Sequence, residues 1–282
     1  KPPKFIHTAH MLKQDGEGKR KLSKRKDPEF GIEYYNKEGF SPKAIIEYLL
    51  TILNSNFEEW RLQNPDKNYE EFKFSVNKMS SSGALFDMDK VLDISKNVIS
   101  RMTAEEVFDD VEKWAEEYDP EFASELKAAP DYAKEILAIG RGGKKPRKDI
   151  AVWSGVKDYM GFFYDKYFVP AHSLPENISA EDAVVILEKY PEIYDENDEQ
   201  DVWFNKIKEL ASSLGYAADM KEYKKNPENF KGSVADIAMV LRIAVTGKTV
   251  SPDTYAVMKI LGAKKVDERI KAACKSISEG GK

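Results

Sequence analysis

From residue 40 onward the apolar positions recur at three- and four-residue spacing, the period of helices that bury one face. Ser41-Pro42 places a hydroxyl before a proline suited to the first helical position, and Ile45, Ile46, Leu49, Leu50, Ile52 and Leu53 then predict a buried apolar helix. Thr103-Ala-Glu-Glu106 reads as a capping box, and Ser179-Ala-Glu-Asp182 as a second capped start whose acids suit the positive end of a helix. Val234, Ile237, Ala238, Leu241, Ala244 and Val245 mark one core face, Gly247 should end that helix, and Ser251-Pro252-Asp253 should begin the next, with Ser251 as its cap. Val266, Ile270, Ala273, Cys274 and Ile277 form the stripe of the last helix, on which Cys274 reads as a small core residue. Strand signals are confined to Phe5–Leu12 and, weakly, Phe72–Val76. The expected fold class is therefore mainly α, with no internal repeat and no low-complexity tract.

Charge changes the picture. The net charge of −5 argues against a nucleic-acid partner until its distribution is considered. Residues 1–26 carry nine Lys and Arg against Asp15 and Glu17, which leaves the rest of the chain at −12. Residues 14–28, with Asp15-Gly-Glu-Gly18 leading into the basic run, are read as a loop that packs no core. A second basic knot, Arg141-Gly-Gly-Lys144-Lys145-Pro-Arg147-Lys148, interrupts an acidic body. Such separation can steer an anionic polymer to chosen surfaces and repel it elsewhere. No apolar run approaches the roughly 20 residues needed to cross a bilayer, and the first residues lack the pattern of a signal peptide, so no membrane association and a cytoplasmic location are expected. Cys274 has no partner for an internal disulfide, and with only His7, His10 and His172 beside it a Cys/His zinc cluster is not expected.

The segment Lys19-Arg-Lys21-Leu-Ser23-Lys24-Arg-Lys26 suits a loop that closes over a polyphosphate. When an α-phosphate is attacked and pyrophosphate departs, ammonium groups that meet the growing negative charge favour the transition state over the ground state. Lys21-Leu22-Ser23-Lys24-Arg25 resembles the KMSKS signature of class I aminoacyl-tRNA synthetases. The continuation from Asp27-Pro-Glu-Phe30 through Tyr48-Leu-Leu50, and the block Ser82-Gly-Ala-Leu-Phe-Asp87, resemble bacterial glutamyl-tRNA synthetases. At the far end, Val240-Leu-Arg242-Ile-Ala244 through Gly247, then Ser251-Pro252, Leu261-Gly262 and Arg269, is similar to that family's anticodon-binding terminus.

The resemblance implies a stem-contact region followed by two α-helical anticodon-binding domains, divided as residues 1–112, 113–168 and 169–282. It implies that Lys24 contacts the ATP triphosphate, with Lys21 and Ser23 assisting, and that Arg147, Arg242, Ser251 and Thr254 face anticodon bases; Thr254 stands where the family pattern has an apolar residue. The implied partners are a glutamate-accepting tRNA, L-glutamate and ATP, the last with Mg2+. In that reading glutamate is joined to tRNA through a glutamyl-adenylate. The family's catalytic nucleotide-binding fold carries a HIGH-type motif upstream of the lysine loop, and His7-Thr-Ala-His10 does not match it. The chain is accordingly expected to correspond to the C-terminal part of a longer ligase and to be inactive alone. A stand-alone RNA-binding module and a helical protein-interaction scaffold remain as alternatives. Thr246-Gly-Lys-Thr249 imitates the end of a phosphate-binding loop, but Arg242 stands where the first glycine is needed, so it reads as a helix terminator. The scattered Trp60, Trp114, Trp153 and Trp203 are read as core.

Overall fold

The computed structural model describes residues 5–79, 82–170 and 174–280; Lys1, Lys4 and His172 lie outside the described residues. Helix makes up 61% of the structure, beside a small three-stranded sheet, as the periodicities predict. Lys1–Lys157 and Asp158–Lys282 form two compact units.

In the first unit, β1 (Met11–Asp15) and β2 (Gly18–Lys21) pair antiparallel from Leu12 opposite Lys21 to Asp15 opposite Gly18. Gly16, at φ +57°, supplies the left-handed residue of their tight turn. The short β3 (Ala84–Leu85) runs parallel to β1 and sets the order β2-β1-β3. The basic run is thus partly a strand, correcting the loop expected over residues 14–28. Pairing with β1 satisfies the backbone groups on one side of this edge strand, while Leu22 anchors it in a cluster with Phe40, Tyr48, Phe86 and Val91. Conversely, residues 5–10 are irregular, and Phe72–Val76 forms no strand: residues 72–75 lie between two short 3-10 turns and Val76 opens the second.

Around this sheet lie α1 (Ile32–Glu38), α2 (Pro42–Leu53), α3 (Phe57–Gln63) and α4 (Met88–Ser100). Helix α2 forms where expected but buries a different face: Ala44, Glu47 and Tyr48 are inside, whereas the six Ile and Leu positions are half-buried or exposed. The inward face joins apolar packing by Ala44 and Tyr48 to an ion pair. The Glu47 carboxylate receives paired hydrogen bonds from Arg61, Nη2 at 2.7 Å and Nε at 3.0 Å, and a further one from Arg101 at 3.2 Å. That acid lies buried between two guanidiniums on the face that also carries Ala44 and Tyr48, and Ser41 precedes the helix without its hydroxyl capping it.

A helical layer follows, α5 (Ala104–Tyr118), α6 (Pro120–Ala128) and α7 (Pro130–Leu137), with α5 opened by the Thr103/Glu106 capping box. The chain then returns so that Trp153 N–H donates to the Gly39 carbonyl at 2.8 Å. Gly39 holds φ +77°, and a Cβ there would stand 2.6 Å from Trp153 Cβ, so both conformation and space demand glycine. Short α8 (Val156–Met160) spans the junction between the units.

The second unit contains α9 (Ala180–Ile193), α10 (Gln200–Ser213), α11 (Met220–Lys225), α12 (Val234–Thr246), α13 (Thr254–Leu261) and α14 (Ala263–Ser278). Ser179 caps α9 and Gly247 ends α12 in the left-handed conformation, both as expected. Helix α13 starts later than expected: Asp253, not Ser251, is its cap, accepting from Ala256 N–H at 3.0 Å. Tyr190 and Trp203 are buried together, the indole donating to the Tyr190 hydroxyl at 2.9 Å. Cys274 is only half-buried, because α14 turns Val266, Arg269, Ile270 and Ile277 inward.

Candidate nucleic-acid interface

In the lysine segment, Lys21 and Lys24 are exposed and Ser23 is half-buried. Their arrangement rests on Asp27, which is buried and accepts two hydrogen bonds from Arg20, each 2.7 Å, and one from Ser23 N–H at 2.8 Å. Lys13 approaches it at 3.5 Å and also pairs with Glu29. The Arg20 bonds and the Ser23 amide hold the Asp27 carboxyl well below the usual carboxylate range, so it is anionic across the physiological range. Ser23 also accepts from Lys26 and Asp27 N–H, closing a turn on which Lys24 projects into solvent. Lys21 Nζ lies 3.3 Å from His10 Nε2. One buried acid therefore organises several surface cations, a role no local sequence signal announces.

The second basic segment divides by direction. Arg141 points inward, its guanidinium donating to the carbonyls of Leu137 at 2.7 Å and Ile99 at 2.6 Å, where it satisfies helix ends. Lys144, Lys145, Arg147 and Lys148 are exposed. The Arg147 stem packs over Gly140, where a Cβ would meet its Cδ at 2.6 Å, and Arg147 N–H donates to the Gly140 carbonyl at 3.0 Å. Asp149 engages the guanidinium through Nε at 2.6 Å and Nη2 at 3.1 Å. Arg147 is thus a surface cation with a set orientation.

In the second unit the fold brings Arg242 and Thr254 together, with Ser251 on the connection between their helices. Arg242, half-buried at the edge of the α12 stripe, donates from Nε to Thr254 Oγ1 at 3.2 Å and from Nη1 to the Thr249 carbonyl at 3.5 Å. Thr254 is 4% exposed, so its hydroxyl serves Arg242 rather than solvent. Thr246 shapes the connection, donating to the Arg242 carbonyl at 2.7 Å and accepting from Lys248 N–H at 3.1 Å. Lys248 pairs with Asp158, and the half-buried Ser251 donates to the Pro252 carbonyl at 2.8 Å. Arg269 has a different function from its neighbour in the sequence pattern: it is buried, donates to the carbonyls of Val245 at 2.6 Å and Phe162 at 2.8 Å, and lies 3.7 Å over the Phe168 ring. It locks the fold and is not available to RNA.

Several comparisons place the chain among known proteins. The anticodon binding domain family matches residues 147–274. A glutamate–tRNA ligase of Acetivibrio thermocellus is 50% identical over 268 residues, covering 95% of this chain and 49% of the relative. One from Clostridium perfringens is 45% identical over 272 residues, covering 95% of this chain and 50% of the relative. A crystal structure of a glutamate tRNA ligase from Elizabethkingia meningosepticum, in complex with its amino acid, has a TM-score of 0.61 at 20% identity, covers 98% of this chain and 52% of that one, and supports the fold. The chain spans about half the length of the curated relatives it matches. The chain is thus similar to the C-terminal half of glutamate–tRNA ligases, and its residues 147–274 match the anticodon binding domain family.

Proposed function

We propose that this chain is the tRNA-binding part of a glutamate–tRNA ligase, which joins L-glutamate to its tRNA in two steps, an ATP-consuming formation of glutamyl-adenylate followed by transfer of the glutamyl group to tRNA. The observation that carries the reading is the Arg242 corner, where a guanidinium at a helix edge is braced from behind by Thr254 and the Thr249 carbonyl. Such an arrangement suits reading a base edge. Arg147 and Ser251 contribute further anticodon contacts, and Thr254 belongs to the site through Arg242. Lys24 meets the ATP triphosphate, with Lys21 and Ser23 shaping its approach, once the nucleotide-binding fold of the whole ligase is present. Mg2+ travels with the triphosphate in this reading. Residues 1–112 take the stem-contact role and 113–168 and 169–282 the two anticodon-binding roles; the compact-unit boundary at 157/158 falls inside the middle segment.

The test is titration of the chain with glutamate tRNA and an anticodon-altered version at two salt concentrations. Affinity should fall with salt in proportion to the phosphates contacted. Arg242→Ala should cost about 1–3 kcal/mol on the cognate RNA and relax selectivity between anticodons. Equal loss on every RNA would exclude base reading by Arg242, and a salt-insensitive complex would favour a protein-interaction scaffold. The chain alone should give no glutamate-dependent ATP–pyrophosphate exchange.

A further inference from the structure

Arg242 and Thr254 are 12 residues apart, on helices joined by the turn at Gly247. Thr254 is the first residue of α13, just after the Asp253 cap, and is almost wholly buried. Its hydroxyl accepts from Arg242 Nε, the one guanidinium nitrogen nearest the stem, and so fixes rotation of the planar group about its last bonds. Nη1 leans on the Thr249 carbonyl, while Nη2 has no hydrogen-bond partner among the described residues. With Nε occupied, the guanidinium can still offer its end-on edge, one N–H from each Nη, as two parallel donors.

We infer that Thr254 is a positioning residue that presents the Nη edge of Arg242 to an anticodon base having two adjacent acceptors. This rests on the proposed role of Arg242 in anticodon reading. Cytosine offers such a pair at O2 and N3, and guanine at O6 and N7; the Watson–Crick edge of uracil has an N–H between its two carbonyls and cannot receive both bonds. The corner therefore favours cytosine or guanine over uracil at one anticodon position. An apolar residue at 254 would retain the packing but lose the acceptor that orients the guanidinium.

RNA stem–loops with each anticodon position varied in turn are titrated against the chain and against Thr254→Val, Thr254→Ser, Arg242→Ala and the Thr254→Val/Arg242→Ala double variant. The unsubstituted chain should prefer cytosine or guanine over uracil at one position by about 5- to 150-fold, the range of a bidentate base contact. Thr254→Val should remove most of that preference without changing the salt dependence, Thr254→Ser should keep it, and Thr254→Val should add nothing to Arg242→Ala. Far-UV circular dichroism and the retained salt dependence distinguish loss of orientation from loss of fold. If Arg242→Ala removes the preference and a folded Thr254→Val keeps it, or if the two losses add independently, the positioning role is overturned while the proposed function stands. If Arg242→Ala also leaves the preference intact, base reading by Arg242 fails with it.

Discussion

Replacing Glu47 by Ala tests the ionic centre of the first unit. Its carboxylate is 7% exposed and faces Arg61 and Arg101, whose side chains are 13% and 24% exposed. Burial pushes the Arg101 guanidinium below its ordinary pKa, with Glu47 opposing that shift, so removing the acid leaves a cation that the site disfavours. Breaking a buried ion pair from one side costs about 3–5 kcal/mol. The lower end applies here, because Arg61 retains the carbonyls of Asn64 at 2.8 Å and Lys67 at 2.7 Å, and Arg101 keeps some contact with water. For a unit of this size about 3 kcal/mol corresponds to a fall in Tm of about 6–12 °C. Hydrogen exchange across a denaturant series, read in α2 and α4 and separately in α9 and α12, should place the loss in the first unit, with Glu47→Gln losing less because it keeps shape and acceptor. A loss below about 1 kcal/mol, the scale of exposed surface pairs, would refute the reasoning.

Gly39→Ala should destabilise the first unit by about 2–4 kcal/mol, combining the left-handed backbone with overpacking against Trp153; a neutral result in chemical denaturation would contradict both. Asp27→Asn should lower stability at neutral pH and flatten the acid limb of the stability curve. Because folding lowers this carboxyl's pKa, its contribution is present above the unfolded value of about 3.9 and disappears as pH falls through the folded value, so thermal melts of the parent and variant should converge in acid. Arg269→Ala should cost about 3 kcal/mol by leaving the Val245 and Phe162 carbonyls unpaired, and an RNA-binding defect in fully folded protein would show that the arginine does more than hold the fold.

The helix boundaries set by neighbouring residues were legible in the sequence. Thr103 and Glu106, Ser179 and Asp182, and Gly247 act within a single turn, so their chemistry is written in adjacent positions. What spacing could not show was which residues far apart in the chain complete one another's hydrogen bonds. The Glu47 buried on α2 finds its partners in Arg61 and Arg101, 14 and 54 residues further along the chain. The basic run becomes a strand through pairing with β1, and the inward turn of Arg269 depends on a carbonyl 107 residues away. Sequence alone determined a helical chain with a cationic segment and a set of polar side chains resembling an RNA reader. Tertiary structure decided which of those side chains support others, because desolvating a charge is tolerable only where the folded backbone or an opposite charge meets it, and that meeting has no local period.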